Sequence, residues 1–93
     1  MNKNHNYIFI PQIDANADQV LVTDLSFDTF SSINEGDVIA RIESTKASFE
    51  IISEYTGYVY FLCELQDEVK VGEKIALVMD DLGKLKKITE KLK

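Results

Sequence analysis

Short apolar runs rich in β-branched and aromatic residues recur along the chain, separated by Gly, Asn and Asp. This is the pattern of an all-β sandwich or small barrel. Six or seven strands are predicted. Tyr7–Ile10 ends at Pro11, which has no N–H to give a ladder. Val20–Ser26 follows the polar loop Asp14-Ala15-Asn16-Ala17-Asp18, and Val38–Glu43 follows the turn Asn34-Glu35-Gly36-Asp37. Period two places Val38, Ala40 and Ile42 on one face of that strand, with Arg41 and Glu43 on the other. Ser48–Ile52 alternates Ser48 and Glu50 against Phe49 and Ile51. Gly57–Cys63 and Ile75–Met79 are nearly continuous apolar runs, as expected of strands covered on both faces. Leu82, Leu85, Ile88 and Leu92 are then spaced as on one side of a short helix, with lysines between them.

The runs form two related halves. With an offset of 36 residues, Gly36-Asp37-Val38-Ile39-Ala40-Arg41-Ile42 aligns with Gly72-Glu73-Lys74-Ile75-Ala76-Leu77-Val78. The same offset pairs Ile33 with Val69, Phe27 with Cys63 and Leu25 with Phe61. Two copies are too few for a solenoid, but two half-motifs packed by a pseudo-twofold bury both apolar faces. The expected fold is therefore a flattened barrel-sandwich of two small antiparallel sheets with a short C-terminal helical tail. Residues 1–6 are expected to be a disordered N-terminus, 7–80 the folded domain and 81–93 a basic amphipathic tail.

Charge divides the chain along the same lines. The net charge is −6, yet residues 1–81 carry 5 basic and 15 acidic side chains, whereas residues 82–93 carry 5 basic and 1 acidic. An acidic body repels phosphate, which argues against nucleic acid as a partner. The tail is expected to lie on the body by charge attraction. No stretch reads as a secretory leader or a membrane span, so a cytoplasmic location is expected.

Catalytic chemistry has little to work with. His5 is the one histidine and lies in a polar N-terminal stretch. Cys63 is the one cysteine and sits in an apolar run as a buried small residue would. Two such residues cannot supply a zinc ligand set, and the four glycines, at 36, 57, 72 and 83, form no phosphate loop. A non-catalytic protein is expected.

One segment stands out. Ile42-Glu43-Ser44-Thr45-Lys46-Ala47-Ser48-Phe49-Glu50-Ile51 reads as a hairpin of two alternating strands whose tip falls at Ser44 to Ala47. Glu43-Ser44-Thr45-Lys46-Ala47 resembles the Glu-Thr-Asp-Lys-Ala signature of lipoyl/biotinyl carrier domains. Gly36-Asp37 lies ten and nine residues before Lys46 and Gly57 eleven after it, matching that family's spacing. The likeness runs from about Asp24 to Met79.

The resemblance implies a carrier in which Lys46 receives lipoate through an amide, with biotin as the alternative. Glu43, Thr45, Ala47, Gly36 and Gly57 would be ligase-recognition or hairpin-positioning residues. The implied partners are a lipoate or biotin ligase and separate acyl-transfer or dehydrogenase-type enzymes, between which a swinging arm shuttles an acyl or related group. Biotinyl domains usually have Met on both sides of the lysine, so Ala47 sides with lipoyl domains, while Thr45 matches neither pattern. The stretch Ile13–Asp18 stands where lipoyl domains usually have a glycine-containing loop, which implies a different partner. An unmodified relative, using the same sandwich as an interaction module, is the remaining reading.

Overall fold

The computed structural model describes residues 6–12 and 18–91. Eight strands and one helix follow in the order β1 Asn6–Phe9, β2 Gln19–Leu25, β3 Ser32–Ile33, β4 Val38–Glu43, β5 Ser48–Ile52, β6 Gly57–Phe61, β7 Glu68–Lys70, β8 Lys74–Met79 and α1 Leu82–Glu90. They form two antiparallel four-stranded sheets, ordered β1-β8-β6-β3 and β5-β4-β2-β7. The all-β barrel-sandwich expected from the sequence is what the chain adopts. The two strands not anticipated, β3 and β7, have two and three residues, too few for periodicity to register. Of the expected disordered stretch, residues 1–5 lie outside the described residues, and β1 begins at Asn6, which pairs with Val78. The expectation for Ile13–Asp18 likewise falls outside, apart from Asp18.

The offset of 36 is a structural symmetry. It carries β2 onto β6, β3 onto β7 and β4 onto β8, and β5 then takes the place of β1, so each sheet repeats the order of the other. Individual bonds obey it too. The Ser26 N–H donates to Ile39 O and the Leu62 N–H to Ile75 O, both at 2.8 Å. The Gly36 N–H donates to Ser53 O and the Gly72 N–H to Ile10 O, again both at 2.8 Å. Asp37 accepts from the Asn34 N–H at 2.8 Å, and Glu73 from the Lys70 N–H at 2.7 Å. Even the strained turn residues correspond, since Phe30 and Gln66 both have φ of 73°.

The facing sheets enclose a core of Ile8, Val20, Val22, Ile33, Ile39, Ile42, Ile51, Val59, Ile75 and Val78, among others. In β4 simple alternation fails. The register slips between Val38 and Ala40, a bulge that turns both Ile39 and Ala40 inward and leaves Val38 half-buried. The expectation of two doubly covered strands holds for one of them. β8 is buried from Ile75 to Met79, whereas β6 ends at Phe61 and only its Val59 is fully buried.

The second cover of β8 is α1. Leu85 is fully buried against Leu77 and Met79, with Leu82, Ile88, Tyr7, Phe30, Tyr58 and Tyr60 around them. Asp81 caps the helix by accepting the Lys84 N–H at 3.1 Å. Its charged contact with the body among the described residues is Lys86 Nζ over the Phe30 ring, 5.5 Å from the centroid, rather than an ion pair. The ion pair found among the described residues is Arg41–Glu50, and no helix lysine joins one. Apolar burial docks the tail, and Leu92 of the expected stripe falls outside the described residues. Leu85→Ala should therefore cost about 3 kcal/mol, a fall of roughly 15 °C in thermal midpoint for a domain of this size. Lysine-to-glutamine changes at Lys84 and Lys87 should leave the midpoint nearly unmoved. Calorimetry on the variants checks both.

Candidate functional site

β4 and β5 pair as a hairpin joined by residues 44–47. Glu43 pairs with Ser48, and beyond that rung the Ser44 N–H donates to Ala47 O at 2.9 Å, leaving Thr45 and Lys46 alone at the tip. Neither residue has positive φ, a property confined among the described non-glycine residues to Phe30 and Gln66. The tip is therefore not one of the primed turns that usually close two-residue loops. A serine hydroxyl closes it. Ser44 Oγ accepts the N–H of Lys46 at 3.2 Å and of Ala47 at 3.3 Å.

Lys46 is exposed, and no carboxylate lies within ion-pair reach of its amine among the described residues. The nearby acids are engaged elsewhere on the hairpin's outer face. Glu43 accepts the Ser48 hydroxyl at 3.3 Å, and Glu50 accepts Arg41 Nη2 at 3.1 Å. An exposed primary amine on a short, rigidly based turn can reach an activated acyl group held by a second protein.

The structure brings Glu43, Thr45, Lys46 and Ala47 together at this tip. Gly36 is at the other end of the hairpin, where its N–H donates to Ser53 O. Its φ of 96° makes the turn that feeds β4. Gly57 belongs to the opposite sheet and pairs with Ile33. Neither glycine lies at the tip, and each belongs to the frame around the hairpin. Ser44, to which the sequence pattern attached no role, is the residue that organises the tip.

A family model described as biotin-requiring enzyme, the biotin/lipoyl model, matches residues 9–78. The chain belongs to the biotin/lipoyl family. No curated protein matches it. Family members carry lipoate or biotin covalently on a lysine and are generally non-catalytic carrier domains. The tip suits such a group, since its lysine is exposed and joins no ion pair among the described residues.

Other features of the chain sit apart from this hairpin. Cys63 is buried and its Sγ–H points to Ile75 O at 3.9 Å. Burial, with Asp67, Glu73 and Glu64 adding repulsion, pushes its thiol up to about 11. It is therefore a protonated thiol at neutral pH rather than a nucleophile. An open groove of about 910 Å³ lies between the Phe27–Phe30 and Cys63–Leu65 loops, and no tip residue lines it. Among the described residues, no three His, Cys, Asp or Glu side chains are placed to hold a metal ion. No described helix is long and apolar enough to cross a membrane.

Proposed function

We propose that Lys46 is the attachment lysine of a lipoyl-type carrier, whose arm passes an acyl or related group between partner enzymes. The observation that carries this reading is the place of Lys46 at the exposed tip of the β4–β5 hairpin, inside the stretch that matches the family. With Thr45 it forms a two-residue turn, and both acids of the adjoining strands are bonded to other groups rather than to its amine.

In the attachment step the amine nitrogen attacks the carbonyl carbon of an acyl adenylate that a separate ligase makes from lipoate and ATP. The amide C–N bond forms and the bond from that carbon to the phosphate oxygen breaks. AMP leaves with the electron pair, and the nitrogen gives up a proton. Glu43, held by Ser48, supplies a fixed carboxylate by which the ligase selects this lysine, and Thr45 and Ala47 are the small neighbours that it accepts. Gly36 and Gly57 keep the hairpin frame in place.

A lipoyl group would supply a cyclic disulfide able to take up an acyl group. The chain's own part is to hold the arm's anchor at a rigid tip, at an effective concentration of order millimolar near enzymes docked on the same assembly. Those enzymes are separate acyl-transfer or dehydrogenase-type proteins, and the setting is the cytoplasm. The small Ala47 favours lipoate over biotin.

Purified protein offered to a lipoate ligase with lipoate and ATP should gain one lipoyl group per chain, and offered to a biotin ligase with biotin it should gain none. Biotinylation alone would make it a biotin carrier. Refusal by both ligases would leave the sandwich as an unmodified interaction module.

A further inference from the structure

The tip poses a geometric problem that Ser44 resolves. Two-residue hairpin loops ordinarily place residues with positive φ at the tip, because that backbone follows the twist of the strands. Thr45 is β-branched, and neither it nor Lys46 takes positive φ. The rung that would bring the Ala47 N–H to the Ser44 carbonyl is replaced by a bond to the Ser44 side chain. Ser44 Oγ collects the N–H groups of Lys46 and Ala47, and its own hydroxyl lies 3.4 Å from Ala47 O. One side chain thus binds three backbone groups in the four residues that carry the lysine. This is the local serine–backbone pattern that stabilises turns.

We infer that Ser44 is a positioning residue for Lys46: its hydroxyl holds the lysine's backbone so that the amine projects in one direction for acylation. The inference rests on the carrier reading above. Ser44 is half-buried and Thr45, Lys46 and Ala47 are exposed, so water reaches the tip to replace the lost bonds and the fold gains little from Ser44. The benefit lies in preorganisation, because a loosened tip spends less time with the amine aligned on the acyl carbon. That defect lowers the rate of the bound complex and leaves recognition through Glu43 and the strands intact.

The decisive comparison is Ser44→Thr against Ser44→Val, side chains of nearly equal shape that differ in the hydroxyl. Each variant, with wild type and Ser44→Ala, is titrated as acceptor for lipoate ligase with lipoate and ATP. Amide hydrogen exchange at Lys46 and Ala47 is followed in parallel without ligase. Ser44→Val and Ser44→Ala should lose about tenfold in kcat, with KM within about twofold of wild type. Ser44→Thr should restore kcat to within about twofold. The Lys46 and Ala47 amides should exchange several-fold faster in the Val than in the Thr variant, with all thermal midpoints alike. Equal kcat for Ser44→Val and wild type overturns the inference even if exchange quickens, and so does an equal loss in the Thr and Val variants. A wild-type protein refused by the ligase overturns the carrier reading itself, a result distinct from either of these.

Discussion

Lys46→Arg abolishes attachment of any arm and leaves the thermal midpoint within about 2 °C of wild type. The first half of this expectation follows from chemistry. Guanidinium keeps the positive charge and much of the length of lysine but has no amine lone pair to attack an acyl carbon at neutral pH. The second half follows from position. Lys46 is exposed, lies beyond the last strand rung and forms no ion pair among the described residues, so the fold loses nothing measurable. The assay is mass spectrometry after incubation with lipoate ligase, lipoate and ATP. The loss should be complete rather than partial, because the other lysines lie outside the hairpin tip. Residual labelling mapped to Lys70 or Lys74 would show that the ligase does not read this turn.

Gly57→Ala has the largest expected effect on stability, about 4 kcal/mol. Gly57 begins β6 with φ of 155°, and a Cβ built there would fall on the Met79 carbonyl oxygen, 2.9 Å from its carbon and 3.1 Å from Val78 Cγ1. Met79 cannot retreat, because Tyr58 pairs with it and Leu85 packs against it from the other side. Gly36→Ala is the control. Gly36 also has positive φ, 96°, yet an added Cβ there meets nothing within 4 Å, so only the backbone strain of about 1 kcal/mol remains. Urea melts of the two variants should differ by about 3 kcal/mol. Equal destabilisation would mean that the approach of β6 to β8 is looser than described.

These two glycines also show what the sequence could convey. Gly36 and Gly57 look alike on spacing from Lys46, but one is required by a turn and the other by contact with a strand distant in sequence. Only the second demand needs the tertiary structure to be seen. The 36-residue offset was legible because a twofold preserves residue types at equivalent positions. Gly36 and Gly72 make equivalent turns with positive φ, and the Asp37 and Glu73 carboxylates accept the equivalent N–H groups of Asn34 and Lys70. β3 and β7 escaped notice because two or three residues carry no period.

The helix was legible as a stripe, and the contacts that seat it are mainly apolar. The lysines suggested attraction to an acidic body; Leu77 and Met79 on the outer side of β8 provide an apolar seat for Leu85. That seat was already implied by the unbroken apolar run of β8, which needs cover on both faces. At the site, the motif located Lys46 and its neighbours on one turn. The part played by Ser44 was not legible, because a hydroxyl's bonds to backbone two and three residues on depend on dihedral angles that the pattern does not specify.

The most direct test of the carrier account is the intact mass of this protein purified from its own organism, with a peptide map to place any added group. The account predicts a lipoyl-sized increment confined to Lys46. An unmodified mass from the native source, unchanged after ligase, lipoate and ATP are supplied, would contradict it.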